Sequence, residues 1–182
     1  MKHELNPRHL NIAAFAQAKD SLAGEEKLAR FERLIEASQG LGGEAMVVYS
    51  ARGELRPDAA GVDEPWVHLS AQTTVPLTCQ RCLGVADVEI QFERDFRFVA
   101  TEELAEVEDE ESEEDVLVLS KAFDLLELIE DELLLASPLV PMHAVCPEPV
   151  KLTAADAGFD AQPEERPNPF AVLQQLKKKD AG

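Results

Sequence analysis

Two cysteines separated by two residues are the first candidates for chemistry in this chain. Cys79 and Cys82 lie in the run TCQRCL of residues 78–83, and Cys146 follows His143 in a later proline-rich stretch. Tetrahedral zinc takes four nitrogen or sulfur ligands, and a Cys-x-x-Cys turn plus an extended segment can supply two each. We therefore expect Cys79, Cys82 and Cys146 to lie within ligand distance, with His143 as fourth ligand of a structural zinc site.

Two other interpretations of the cysteines stay open at this stage. Reduced cysteines are often small, partly buried core residues, so the three thiols could lack a metal. Redox Cys-x-x-Cys pairs usually open a helix in a βαβ unit, whereas Cys79 and Cys82 fall between predicted antiparallel strands. Thiol–disulfide catalysis is therefore disfavoured. The candidate structural zinc is the one cofactor that the sequence suggests.

The motifs of common enzyme classes are missing from the sequence. It contains no phosphate-binding glycine loop, no G-x-S-x-G, no H-E-x-x-H and no dinucleotide fingerprint. We therefore expect a protein that is not an enzyme and has no catalytic residues.

Charge and composition restrict the partners. The 182 residues include 36 acidic residues against 17 lysines and arginines, for a formal net charge of -19, and only 5% are aromatic. Such a chain repels nucleic acid overall, attracts basic proteins and offers few side chains for base stacking. An N-terminus without an apolar signal region, no membrane-length apolar run and an odd number of cysteines favour a cytoplasmic protein with no membrane partner.

The predicted fold is α+β, with an antiparallel sheet or partly open barrel, a helical N-terminal arm and flanking helices. Residues 1–43 form the arm, because the run EEKLARFERLIEASQG after a break near residues 21–24 has helical periodicity. Its apolar face comprises Leu28, Phe31, Leu34 and Ile35. Residues 44–150 form the α+β core, and alternating apolar residues predict the strands of the sheet within residues 44–99.

An acidic stretch follows the predicted sheet. Residues 102–115 contain ten acidic residues and no basic one. Such a block repels itself and buries little apolar surface, which predicts a disordered, solvated loop. The alternative is a functional role as a nucleic-acid mimic or as a capture site for a basic ribosomal protein.

The clearest predicted helix is FDLLELIEDELLLASP, with Asp124 as N-cap and an end at Ser137 and Pro138. Its spacing predicts a solvated acidic face and a buried apolar stripe. The acidic face comprises Glu127, Glu130, Asp131 and Glu132. The stripe comprises Leu125, Leu126, Ile129, Leu133 and Ala136.

Residues 151–182 are predicted to be an extended, proline-rich tail that ends in a short basic helix. Prolines stiffen the approach, apolar residues provide an anchor, and three lysines reverse the overall charge. The alternative is a terminal helix that packs on its own sheet. The candidate partner-binding residues are Pro167, Asn168, Pro169, Phe170, Leu173, Leu176, Lys177, Lys178 and Lys179.

Three ordered motifs resemble the bacterial YceD family of large ribosomal RNA subunit accumulation proteins. They are CQRCL, FDLLELIEDELLLASPLVPMH with a cysteine just beyond, and RPNPFAVLQQLKKK. The resemblance spans roughly residues 44–179. Many relatives carry further cysteines after the helix, where this chain has only His143 and Cys146.

The resemblance implies a cytoplasmic protein needed for normal accumulation of large-subunit ribosomal RNA, and it transfers no catalytic residues. We expect a non-enzymatic factor for ribosomal RNA accumulation or processing. Its partner would be a large-subunit rRNA precursor particle, a processing enzyme or a basic ribosomal protein. The alternative is an acidic, protein-only adaptor or chaperone for a basic ribosomal protein.

Overall fold

The computed structural model describes residues 5–58, 60–110, 112 and 114–147 of the chain. Five strands form one sheet: β1 Ser21–Lys27, β2 Met46–Pro57, β3 Asp63–Thr78, β4 Val85–Val99 and β5 Asp115–Val118. The described helices are α1 Ile12–Ala18, α2 Glu32–Ala37, α3 Glu102–Asp109 and α4 Leu125–Ala136, and a 3-10 turn occupies Leu28–Arg30.

The sheet confirms the predicted α+β class. Its strand order is β1-β2-β3-β4-β5, so neighbours in sequence are neighbours in space. β1 to β4 pair antiparallel, and short β5 pairs parallel to the end of β4. The sheet is open, with β1 and β5 at its edges.

One face of the sheet carries the main core. Large apolar side chains from the sheet, including Val47, Leu69 and Phe96, alternate onto this face and pack against Phe15 of α1 and Leu133 of α4. Each of these five side chains is at most 2% exposed. Full burial of each such side chain contributes about 1.5–3 kcal/mol, so this face provides most of the stability.

α4 has the predicted bounds, and its N-cap is confirmed. Asp124 accepts hydrogen bonds from the backbone N–H groups of Leu126 and Glu127 at 3.0 and 3.1 Å. Four members of the predicted apolar stripe are buried, but Ala136 is exposed because it lies in the last turn, beyond the edge of the core.

The predicted solvated face of α4 is wrong at two acidic residues. Glu130 is 9% exposed, and its carboxylate accepts from the backbone N–H groups of Arg33 and Leu34 at 2.7 and 3.2 Å. It thereby caps α2, whose own N-cap residue, Phe31, makes no capping hydrogen bond with its side chain. Glu132 is 5% exposed and contacts Arg94 at 3.3 Å.

The predicted helical arm is wrong over residues 21–27, which form β1. Lys27 lies opposite Met46 and Ser21 opposite Arg52 in an antiparallel ladder with β2. Tertiary pairing overrides the helical pattern here, because β2 presents a long edge that satisfies the backbone groups of β1. Gly24 permits the close approach, since a Cβ atom there would lie 2.6 Å from the Tyr49 hydroxyl oxygen.

The predicted disordered loop at residues 102–115 is also wrong for most of its length. Residues 102–109 form α3, which Thr101 caps by accepting from the Leu104 N–H, and β5 begins at Asp115. Ala105 packs with Val99 and Val116 in a small second core. These two valines alternate to the side of the sheet opposite the main core, so α3 covers one end of that side.

Within the part of the chain that the structure describes, no helix is both long and apolar enough to cross a bilayer.

Candidate metal centre

The turn between β3 and β4, residues 79–84, forms a compact knuckle. The Cys79 N–H donates to the Gly84 carbonyl, and the Leu83 N–H donates to the Cys79 carbonyl, both at 2.8 Å. Leu83 adopts a left-handed backbone with φ of 60°, which closes the turn at a local cost of about 1–2 kcal/mol. The knuckle holds the side chains of Cys79 and Cys82 on one side of the turn.

The segment after α4, residues 138–147, returns to this knuckle. The Gln80 N–H donates to the Pro141 carbonyl at 2.8 Å. The Arg81 guanidinium donates to the His143 carbonyl, also at 2.8 Å. These bonds bring His143 and Cys146 beside the two knuckle cysteines.

Four potential ligand atoms converge at this point. Those of Cys79, Cys82, His143 and Cys146 all lie within 4.8 Å of one another. The Cys79 and Cys146 sulfurs are 3.9 Å apart, and the Cys82 sulfur lies 3.3 Å from His143 Nδ1. With Zn–S bonds of about 2.3 Å, a tetrahedral site places its sulfurs about 3.8 Å apart. The cluster therefore fits a four-coordinate metal with little movement.

The histidine ring is held in the orientation that a ligand requires. His143 Nε2 lies 2.8 Å from the Val85 carbonyl oxygen, so Nε2 carries the proton and donates it to that oxygen. The lone pair of Nδ1 is left to face the Cys82 sulfur. Metal-binding histidines usually donate their second nitrogen to such a partner, which fixes the tautomer.

The local electrostatics favour the thiolate of Cys79 over that of Cys82. Burial raises the pKa of Cys79, but hydrogen bonds from the His143, Cys82 and Arg81 backbone outweigh burial and lower this pKa to about 5. For Cys82, a hydrogen bond from the Gly84 backbone lowers the pKa. Burial and the nearby Cys146 and Cys79 sulfurs outweigh that bond, so the pKa of Cys82 is raised. The raised pKa of Cys82 means that its thiolate form needs further positive charge nearby, which a bound cation would supply.

The arrangement is compatible with a structural metal site. All three cysteines are free, Cys79 is buried, and Cys82, Cys146 and His143 are partly buried. Four protein ligands complete a tetrahedron and leave no open position for a substrate. The knuckle leads into a strand, so no helix terminus follows the pair to stabilise a reactive thiolate.

Arg81 is a contributor that the sequence reasoning missed. Its Nε lies 3.0 Å from the Cys146 sulfur, in addition to its bond with the His143 carbonyl. The sequence signal for this role was the position of Arg81 between the two cysteines of the Cys-x-x-Cys motif. The predicted partner-binding residues, 167–170, 173 and 176–179, lie outside the described residues.

Comparisons with known proteins identify relatives of this sequence. The sequence model of the family described as "Large ribosomal RNA subunit accumulation protein YceD" matches residues 67–177. A Haemophilus influenzae protein named large ribosomal RNA subunit accumulation protein YceD is 39% identical over 111 residues. That alignment covers 59% of this chain and 63% of the relative, so it spans less than two thirds of the relative's length. No solved structure matches the chain at a significant level.

Proposed function

This chain belongs to the YceD family, and we propose that it is a non-enzymatic cytoplasmic factor that supports the accumulation or processing of large-subunit ribosomal RNA. The observation that carries the proposal is the family match over residues 67–177, which includes both cysteine segments and α4. The factor would bind a precursor particle, a processing enzyme or a basic ribosomal protein.

The non-enzymatic part of the proposal rests on the chemistry of the described residues. Among them, the cluster with potential metal-ligand geometry is the Cys79, Cys82, His143 and Cys146 set. Its four members suffice for a closed structural site, which leaves no ligand position for catalysis.

A deletion strain tests the proposed role in ribosomal RNA accumulation. We expect loss of the protein to lower the ratio of large- to small-subunit rRNA on sucrose gradients, and this chain to restore it. Sequencing of rRNA ends would show the step that is delayed. An unchanged ratio, with normal ends, would contradict the proposal.

A protein-only adaptor or chaperone is the second candidate, and the net charge of -19 favours it. Such an adaptor would retain its partner when RNA is destroyed, whereas a factor bound through RNA would lose it. A pull-down from nuclease-treated lysate, together with crosslinking and sequencing of bound RNA, distinguishes the two. Crosslinks to specific rRNA positions would exclude the adaptor.

We further propose that Cys79, Cys82, His143 and Cys146 hold a structural zinc ion. The donor set, the 3.9 and 3.3 Å separations and the fixed histidine tautomer support this assignment. Zinc would supply positive charge for the thiolates and a cross-link between the knuckle and residues 138–147.

Metal analysis tests the zinc site directly. Protein purified without chelators should contain about one zinc per chain, and cobalt substitution should give the visible absorption of a tetrahedral thiolate site. Cys82→Ser should lose both signals, while Thr78→Ser beside the knuckle should keep them. Absence of stoichiometric zinc in the unaltered protein would refute the site.

The tail residues Pro167 to Lys179 remain a proposed binding segment, because the sequence combines an apolar anchor with three lysines. A chain truncated after Glu165 should fail to restore large-subunit rRNA in the deletion strain. Full restoration by a stably folded truncation would place the binding surface elsewhere.

A further inference from the structure

Within the described residues, the side of the sheet opposite the main core is largely uncovered. α3 covers only the end near Val99, and the outward side chains further along β1 to β4 face solvent. The strand register aligns these side chains in rows across the sheet. The two central rows are Ala23, Ser50, Ser70 and Glu93, and Glu25, Val48, Gln72 and Gln91.

These rows form the floor of a trough. Two adjoining cavities of about 630 and 270 Å³ share Val48, Gln72 and Gln91 in their lining. Strands lie about 4.8 Å apart, so the four strands span about 14 Å, and an α-helix is about 10 Å wide. A single helix therefore fits across or along the trough.

The middle of the floor, on β2 and β3, is uncharged, and acidic residues lie at its two sides, on β1 and β4. Glu25 lies on β1 at one side, and Glu89 and Glu93 lie on β4 at the other. All three are exposed. Val48 and Met46, which are 43% and 38% exposed, add an apolar strip between them. The trough thus offers apolar contact in the middle and negative charge at its sides.

The basic groups on this face do not reverse its sign. Lys27 is paired with Glu44 at 2.6 Å. Arg52 lies in the row that ends the trough, beside His68. His68 is itself held between Asp95 at 2.7 Å and Glu93 at 3.1 Å. The side walls of the trough therefore remain acidic.

RNA and a second copy of this chain are poor occupants. Acidic walls repel phosphate, and they equally repel the same acidic face of another copy. Base stacking also lacks a platform, because Trp66 is the one outward aromatic side chain among the described residues of these strands. Its ring is covered by the Arg56 guanidinium at 4.4 Å from the centroid.

We propose that this trough binds an amphipathic helix of a partner protein, with lysines or arginines on its flanks. Cations on the two sides of such a helix would face Glu25 and Glu93, while its apolar stripe would lie on Val48. Such a helix would belong to a partner in the proposed function. The binding itself is argued from the trough, and only its cellular role rests on that function.

The first test fills the trough without changing charge. The probe is a fluorescein-labelled 18-residue amphipathic helix of lysine, leucine and alanine, titrated with the full-length protein and followed by anisotropy. Gln72→Trp places a large side chain on the floor and should weaken binding about tenfold or more, as expected when a central contact is blocked. Gln17→Trp, at an exposed position of α1, is the matched control and should change affinity less than about twofold.

The second test separates the trough from the general acidity of the protein. The triple variant Glu25→Gln, Glu89→Gln, Glu93→Gln should weaken the probe about tenfold at low salt, and less at high salt because ions screen these charges. The variant Glu102→Gln, Glu103→Gln, Glu106→Gln removes the same charge from α3. It should weaken binding less than about threefold, since these residues lie outside the trough.

Several outcomes would overturn the inference. If both triple variants lost the same affinity for the probe, the probe would be binding to the overall negative charge of the protein. If Gln72→Trp bound the probe as well as the unaltered protein, the helix would bind elsewhere. Tighter binding of an 18-nucleotide RNA that Gln72→Trp abolishes would assign the trough to RNA. A protein that restores rRNA in cells yet does not bind the probe contradicts this inference alone, so the two proposals can fail separately.

Discussion

Two segments that bury little apolar surface, α3 with Ser112 and Glu114 after it and the 138–147 segment, are attached to the sheet by opposite arrangements of charge. α3 and the residues after it are collected around one cation, Arg97. The 138–147 segment meets the sheet at a cluster of thiols and one imidazole. In the first case carboxylates surround a cation that the chain supplies, and in the second three thiols and one imidazole face one another.

The chain's own side chains form the cluster around Arg97, in which the buried Nε atom has an ion-pair contact but no hydrogen bond within the described residues. The Arg97 side chain is 11% exposed and contacts Glu64 at 3.3 Å, Glu108 at 2.6 Å and Glu114 at 3.2 Å. It also donates to the Ser112 hydroxyl at 2.8 Å. A planar guanidinium can serve several carboxylates at once, so one residue orders a segment that would otherwise repel itself.

In the cysteine cluster the nearby cation lies at the side. The Arg81 Nε atom lies 3.0 Å from the Cys146 sulfur, and the four potential ligand atoms lie within 4.8 Å of one another. Attachment of α3 therefore depends on a residue, whereas attachment of the 138–147 segment is expected to depend on a bound ion. Each of the two attachments can therefore be disrupted without the other.

Removal of the proposed zinc should have the largest effect. A ligand present at a thousand times its dissociation constant stabilises the folded state by about 4 kcal/mol. We expect a chelator, or Cys79→Ser, to lower the free energy of unfolding by about this amount in denaturant titrations. Thr78→Ser is the control. Equal stability with and without chelator would show that the cysteine cluster does not depend on metal.

Loss of Arg97 should have the next largest effect, and it should be confined to α3. Breaking a fully buried ion pair costs about 3–5 kcal/mol, and the partners here are a fifth to a third exposed, so we expect about 2–3 kcal/mol for Arg97→Gln. Hydrogen exchange should show α3 opening while zinc content stays unchanged.

Arg30 provides the matched control for Arg97. Its side chain is 57% exposed and pairs with Glu26 at 3.5 Å. Exposed pairs contribute about 0–1 kcal/mol, so Arg30→Gln should have a small effect. If the two substitutions cost the same, burial of Arg97 is not what holds α3.

The cap of α3 offers a smaller change in the same segment. Thr101→Ala removes the side chain that accepts from the Leu104 N–H and should destabilise α3 by about 1 kcal/mol. Serine at the same position keeps the hydroxyl and should behave like threonine. Faster hydrogen exchange in α3 for the alanine variant alone is the expected result. Equal exchange in both variants would mean that Arg97 suffices to hold the helix.

Substitution of Glu132 is expected to change the free energy of unfolding least, and the size of this change depends on pH. Burial raises the pKa of this carboxyl, with smaller opposing and reinforcing effects from Arg94 and the nearby acids. A raised folded-state pKa means that the folded protein binds more protons than the unfolded chain above the ordinary glutamate pKa of about 4.3. Ionisation of buried Glu132 therefore opposes folding. As the pH rises through the folded-state pKa, Glu132 lowers the free energy of unfolding.

Glu132→Gln should weaken the pH dependence of the free energy of unfolding in this pH range. At neutral pH we expect a change within about 1 kcal/mol, because relief from burying charge is offset by loss of the contact with Arg94. The test is denaturant unfolding at several pH values between 4 and 8. Glu127→Gln, on the solvated side of α4, is the control, and identical profiles for both variants would contradict a special role for Glu132.

The features that the sequence determined are those with a local physical cause. Alternation along residues 85–99 predicted β4, and Asp124 with the apolar stripe after it predicted α4. The Cys-x-x-Cys turn and the His143 and Cys146 pair predicted the set of residues that the structure brings together. Each of these signals lies in the residue types and their spacing over one turn, strand or helix.

The features that only the tertiary structure decided depend on distant partners. Residues 21–27 became a strand because β2 offered an edge, and the helix of residues 102–109 is held to the sheet where Glu108 pairs with Arg97. Glu130 was buried because the N-terminus of α2, 97 residues away in sequence at Arg33, needed a hydrogen-bond acceptor. Backbone pairing and charge compensation act between segments far apart in the chain, so local periodicity carries no information about them.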